Sequence, residues 1–213
     1  MSKVSSDDFI KKTLEFLQTT TNEYNDLEFE WRWKYVKSIN FDKLQNHFKL
    51  VADNSFYETI AIQKNSRYRL RVFETPCKTY QGVVKTCLFR YEDDGFSFFV
   101  NREIKKNSGF IEQIIRSNPN QRQNFIQRKF CVNKFGDPWC SFEISKSAPV
   151  LMNKNSNNDD DIVQSFKDQR QNKMFHSVEL EHLQWKQKDD ISSQELVKVY
   201  EFVKKVHKNV FLQ

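Results

Sequence analysis

Residues 27–34, LEFEWRWK, alternate apolar and charged without a break. Successive side chains of a strand point to opposite faces, so Leu27, Phe29, Trp31 and Trp33 fall on one side. Glu28, Glu30, Arg32 and Lys34 fall on the other. Four bulky apolar groups on one face demand a core, which makes this stretch a half-buried strand rather than a helix or a loop. The opposite face carries two carboxylates and two cations in a row. It is either a solvated surface or the wall of a site.

The rest of the chain supplies partners for that strand. YETIAIQ (57–63), RYRLRVFE (67–74), GVVKTCLFRYE (82–92) and FSFFVNREIK (96–105) read as strands, with Asp94-Gly95 as a hairpin signal. NFIQRKFCV (124–132) and WCSFEISKS (139–147) are two more, joined at Gly136-Asp137-Pro138, and FHSVELEHLQWK (175–186) is the last. SSDDFIKKTLEFLQ (5–18) and SSQELVKVYEFVKKVHKNV (192–210) have helical spacing. So do NFDKLQNHFKLVAD (40–53), capped by Asn40, and the short GFIEQIIRSN (109–118). The polar segment 152–161 is expected to be a flexible loop. No break in composition divides the chain, so one domain over residues 1–213 is expected. Eight strands with helices at both ends predict a mainly β, α+β fold, an antiparallel barrel or strongly curved sheet with helices packed outside.

Composition excludes several functions. With four glycines, neither a phosphate-binding glycine loop nor a dinucleotide fingerprint can be written, so side chains must hold any phosphate. Cys77, Cys87, Cys131 and Cys140 lack close pairing, and the four histidines lack metal-ligand spacing, which argues against zinc. Scattered cysteines suit a reduced, intracellular protein. Neither an apolar leader nor a membrane-length apolar run is present. The net charge of +6 suits an anionic partner.

Glu-x-Glu occurs at Glu28 and Glu30 and again at Glu179 and Glu181. Each pair shares one strand face, and in a closed barrel the first and last strands are natural neighbours. Four carboxylates would then crowd one patch, a repulsion that a hard divalent cation relieves. Middle strands carry the opposite charge: Arg67, Arg69 and Arg71 on one face, Lys85 among apolar neighbours, then Arg128 and Lys129. Guanidinium forks and ammonium groups grip phosphate oxygens. The alternatives are a solvated strand face or nucleic-acid patch for the arginines, and a snorkelling side chain for Lys85.

LEFEWRWK followed by VELEHL resembles the paired Glu-x-Glu strands of the triphosphate tunnel metalloenzymes. RYRLRVF resembles their basic strand. WCSFEISKS resembles the strand of the capping branch in which an acidic, an aliphatic and a hydroxyl residue follow one another, here Glu143, Ile144 and Ser145. Arg32 stands where the CYTH signature has lysine, and Glu143 where an aspartate is usual. The resemblance implies an eight-stranded antiparallel barrel with a charged lumen. It implies Mg²⁺ or Mn²⁺ held by Glu28, Glu30, Glu179 and Glu181. It also implies phosphate ligation by Arg69, Arg71, Lys85 and one of Arg128 or Lys129. Arg32, Lys34 and Arg67 would line the same tunnel. Glu143 and Glu103 are the candidates for orienting water.

On this resemblance the expected activity is a metal-dependent RNA 5′-triphosphatase of mRNA capping, acting on triphosphate-ended RNA with any guanylyltransferase on a separate chain. Its place would be intracellular, in the nucleus of a eukaryote or the cytoplasm for a virus. The alternatives are a CYTH-like hydrolase of small tri- or polyphosphates, or a non-catalytic scaffold subunit with the same barrel. A plain RNA-binding barrel would put aromatics on its charged faces, and the alternation places them on the opposite ones.

Overall fold

The computed structural model describes residues 6–20, 27–33, 48–74, 77–93, 95–119, 121–133, 139–149, 175–185 and 191–208. Lys34, the Gly136-Asp137-Pro138 turn and segment 152–161 lie outside them. In chain order the elements are α1 (Ser6–Thr19), β1 (Leu27–Trp33), β2 (Phe48–Gln63), β3 (Ser66–Phe73), β4 (Thr79–Glu92) and β5 (Phe96–Lys106). There follow α2 (Ser108–Arg116), β6 (Arg122–Asn133), β7 (Cys140–Pro149), β8 (Phe175–His182) and α3 (Ser193–Val206).

The eight strands close into one antiparallel barrel in the order β1-β5-β4-β3-β2-β6-β7-β8. Two meanders, β2 to β5 and β6 to β8, meet along the β2–β6 ladder, and β1 closes the ring between β5 and β8. Closure leaves no free sheet edge.

One expectation fails. The stretch 40–53 reads as a helix, yet from Phe48 onward it is strand, because β2 runs 16 residues and its first part pairs with β6. A register shift between Leu50 and Ala52 accompanies that pairing. Residues 40–47 lie outside the described set.

Period-two alternation decides what lies inside. The apolar face of β1 points outward, and Leu27, Phe29, Trp31 and Trp33 are all at most 1% exposed. They are covered by α1 and α3 together with Phe98, Phe142, Val178 and Leu180. Phe9 of α1 stacks on Tyr200 of α3 at 4.6 Å and meets Phe98 edge-on at 5.1 Å. Burying such side chains contributes about 1.5–3 kcal/mol each. The hydrophobic core therefore lies between barrel and helices, which leaves the lumen free to be polar. A second, smaller core sits under α2, where Ile111 and Ile115 cover Ala61 and Leu70. Gly82 permits that approach, since a Cβ there would come within 2.7 Å of the Lys106 carbonyl and 2.9 Å of Ile111. Asn107 caps α2 by accepting from the backbone N–H groups of Gly109 and Phe110. The β4–β5 hairpin is present, with Gly95 at φ +88°, and Asp94 lies outside the described residues. Among the described residues no helix is long and apolar enough to cross a membrane.

Candidate functional site

The lumen wall is mainly charged and polar, with apolar residues of β2 such as Ile62 among them. Cross-strand register places Glu30 beside Glu181, and Arg32 beside Glu179. On the next ladder Glu179 stands beside Glu143 and Glu181 beside Ser141. Across the barrel, β3 presents Arg67, Arg69 and Arg71, and β4 presents Lys85.

These groups are tied by ion pairs. The Lys85 ammonium lies 2.8 Å from Glu28 and 2.6 Å from Glu30. Arg32 bridges Glu30, at 3.0 Å, and Glu179, at 2.7 Å. Arg128 donates to Glu143 at 3.2 Å, and Glu143 also accepts from Ser145 at 3.0 Å. Burial opposes the charge on Lys85, but Glu30 and Glu28 outweigh it and hold its pKa above the ordinary value. Burial likewise opposes ionisation of Glu179, and Arg32, Lys85 and Arg69 reverse this and hold its carboxyl down at about 2. Its neighbour Glu143 is pushed up, by burial first and then by the Glu179 charge. Two carboxylates side by side thus divide into one firmly ionised and one readier to take a proton.

Two cavities open along the lumen, both lined by Glu30 and Lys85. One, of about 160 Å³, is lined by Glu28, Glu30, Glu103, Glu143, Glu179 and Glu181 against Arg69, Arg71, Lys85 and Arg128. Six carboxylates face four cations there. The other, of about 200 Å³, opens at the β2–β3 turn, where Lys64, Arg67 and Arg90 join Arg32 and Lys85 against Glu30 alone. The donor set of the first fits a hard divalent cation: carboxylate oxygens without nitrogen or sulfur ligands, and negative charge in excess. Among the described residues no three acidic, histidine or cysteine side chains converge on a common point as they stand. Lys85 accounts for part of this, since its ammonium sits between Glu28 and Glu30 where a cation would otherwise neutralise them.

The structure thus brings together Glu28, Glu30, Glu179, Glu181, Glu143, Glu103, Arg69, Arg71, Lys85 and Arg128. Arg32 and Arg67 line the mouth chamber beside them. Lys129 is the exception among the sequence candidates. Arg128 and Lys129 are adjacent, so strand alternation sends them to opposite faces. Lys129 lies on the outside, 3.4 Å from Asp53, and is no candidate phosphate ligand.

Sequence reasoning missed Glu58. It is 5% exposed and receives Arg71 at 2.9 Å and Arg69 at 3.9 Å. The signal was in the hairpin: a turn at Lys64-Asn65 sets Glu58 opposite Arg71, Ile60 opposite Arg69 and Ile62 opposite Arg67. The expectation that aromatics avoid the charged face also fails. Phe99 lies under the Arg32 and Arg90 guanidiniums, at 5.0 and 5.5 Å, and Phe56 under those of Arg71 and Arg128, at 5.6 and 5.1 Å. A closed barrel has more lumen wall than charges to fill it, and arginine faces stack readily on rings.

No protein-family model matches the sequence, and no curated protein is detectably similar to it. Solved structures are. The triphosphatase of the mimivirus capping enzyme superposes with a TM-score of 0.54 at 13% identity, over 95% of this chain and 100% of that one. The RNA triphosphatase of S. pombe gives 0.56 at 11% identity, over 97% and 92%. At such identities the likeness speaks for the fold, and the chemistry of the lumen rests on its own residues. With eight antiparallel strands closed around a wall of opposed carboxylates and cations, the chain has the triphosphate-tunnel fold.

Proposed function

We propose that this chain, a single tunnel domain over residues 1–213, removes the γ-phosphate from the 5′-triphosphate end of RNA, as in the first step of mRNA capping. The observation that carries this reading is the carboxylate-rich chamber, in which negative charge exceeds positive while three arginines and a lysine point at the same space. A wall of that composition suits a polyphosphate together with a cation and little else. Two of the structures that share the fold are a capping-enzyme triphosphatase and an RNA triphosphatase, and RNA as the substrate is carried over from them as part of the proposal.

In this mechanism Arg69, Arg71 and Arg128 hold the phosphate oxygens through guanidinium forks, and Lys85 adds a point charge. Glu58 keeps the first two arginines at the correct angle. Glu143, the carboxyl whose proton affinity is raised, orients water and takes its proton as the water oxygen attacks the γ-phosphorus. The β–γ P–O bond breaks, and the bridging oxygen leaves with the β-phosphate, its charge stabilised by the arginines. Glu28, Glu30, Glu179 and Glu181 would hold Mg²⁺ or Mn²⁺, which when bound neutralises charge on phosphate oxygens. A guanylyltransferase would act from a separate chain.

The test is phosphate release from γ-labelled triphosphate RNA with and without Mn²⁺. Glu30→Ala and Glu179→Ala should each abolish the divalent-dependent release while circular dichroism stays unchanged. Near-wild-type turnover by either variant would remove the metal assignment. A second reading is hydrolysis of free tri- or polyphosphate. The carboxylate chamber is compatible with it, since its charged side chains would meet only phosphate groups in either substrate.

A further inference from the structure

Phe56 and Phe99 interrupt the charged lining of the barrel at points where arginines meet. Phe56 stands on β2, the strand between β3 and β6, and lies under Arg71 of β3 and Arg128 of β6. Phe99 stands on β5, the strand between β4 and β1, and lies under Arg90 of β4 and Arg32 of β1. In each case the ring belongs to the middle strand of three and takes one guanidinium from either side. The face of an aromatic ring is negative, so it draws two like charges to defined places beside one another.

The two rings differ in what else holds their arginines. Those over Phe99 are fixed by carboxylates: Arg32 by Glu30 and Glu179, and Arg90 by Glu92. Those over Phe56 are held more loosely. Arg71 donates from Nε to Glu58 at 2.9 Å, and among the described residues its terminal nitrogens have no acceptor. One bond at Nε fixes an edge of the guanidinium and leaves its plane free to turn about that bond. Arg128 donates from Nε to Asn54 at 3.3 Å and from Nη1 to Glu143 at 3.2 Å. Both bonds are longer than the roughly 2.7–2.9 Å of a strong charge-assisted one. The ring supplies what these bonds lack. Phe56 is 2% exposed and rests on Phe73 at 5.0 Å, so it is itself held firmly. A guanidinium laid on it loses the freedom to turn. Both arginines line the carboxylate chamber, and a forked grip on phosphate depends on that plane.

We infer that Phe56 is a positioning residue, one that touches no phosphate but sets the guanidinium planes of Arg71 and Arg128 so that they close on one phosphate group from two strands. Its effect on turnover rests on the proposed function. The ordering of the arginines does not.

The experiment is ¹⁵N relaxation of the arginine Nε–H groups in the full chain, in EDTA and without substrate. Signals are assigned from the spectra of Arg71→Lys and Arg128→Lys. The order parameters of both groups should fall below about 0.6 in Phe56→Leu. Phe56→Tyr, which keeps the ring, should hold them at the wild-type level. Phe73→Leu disturbs the same packing, but among the described residues no guanidinium lies over Phe73, so it should leave them unchanged. Where Phe56→Leu does not fold, Phe56→Met fills the site in its place. In the phosphate-release assay with Mn²⁺, kcat/KM should fall about tenfold in Phe56→Leu and recover in Phe56→Tyr. Arginines that stay rigid in Phe56→Leu would overturn the inference. Equal loosening in the Phe56→Tyr or Phe73→Leu variant would overturn it too, because packing alone would then set the planes. Loosening confined to Phe56→Leu supports it even where the wild type releases no phosphate, a result that would remove the proposed activity alone.

Discussion

Lys85 is 7% exposed and neutralises Glu28 and Glu30 on the boundary between the chambers. Removing one member of a buried ion pair strands the rest, at about 3–5 kcal/mol. Lys85→Met should therefore lower the melting temperature in EDTA, and added Mg²⁺ should restore more of the loss than it adds to the wild type. Equal stabilisation of both proteins by Mg²⁺ would mean that no cation replaces the ammonium at these carboxylates. At this scale much of the site was legible. Strict alternation placed Glu28, Glu30 and Arg32 together on one face, and adjacency alone separates Arg128 from Lys129. Glu58 was missed, because a lone carboxylate in YETIAIQ acquires meaning only once the hairpin turn fixes the β2–β3 register and sets it against Arg71.

Among the elements, α3 shows local chemistry that sequence reads well. Ser192 caps it and Glu195 returns the bond, a closed capping box over buried Leu196, Val199 and Val203. Hydrogen bonds from the Ser192 hydroxyl and then its backbone N–H hold the Glu195 pKa below the ordinary value. A depressed carboxyl stabilises the fold above its unfolded pKa, and the contribution is lost as pH falls through the folded one. Ser192→Ala should cost about 1 kcal/mol near neutrality. That gap should narrow as the solution is acidified below about pH 4, where the glutamate protonates in either protein. Chemical denaturation at several pH values measures it, and a gap independent of pH would show that the Glu195 charge plays no part. The misread element is the start of β2. Phe41, Leu44 and Phe48 satisfy a helical pattern locally, but a 12-residue β6 is available to pair with the strand from Phe48 onward, and long-range pairing overrides local propensity.

For the whole molecule, substrate choice is an electrostatic question. On the proposed function the lumen would read only phosphates, so discrimination between RNA and small polyphosphates would fall to Lys64, Arg67 and Arg90 at the mouth. Neutralising backbone phosphates there releases counterions, and kcat/KM for triphosphate RNA should fall steeply with salt. Tripolyphosphate, which lies within the tunnel, should respond less. Parallel slopes with tripolyphosphate preferred throughout would favour the small-molecule reading. The adjacency of β1 and β8 followed from barrel closure and from the two Glu-x-Glu pairs. The β1–β5 ladder had no sequence signal, since nothing in the residues reveals where a strand inserts when its partners lie far along the chain.

That insertion has a consequence in time. β1 ends at Trp33, and its second partner, β8, begins at Phe175. At ~5–20 residues per second, a ribosome needs roughly 7–30 s to make what lies between. Throughout that interval one edge of a strand bearing two tryptophans stands open to other chains. A nascent polypeptide arrested before residue 175 should collect in the aggregated fraction of a lysate, and one released after α3 should stay in the supernatant. Equal partitioning of the two would mean that the early meander shields β1 by itself. If the difference holds, the same seam that seals the charged lumen makes this protein a client for co-translational chaperones.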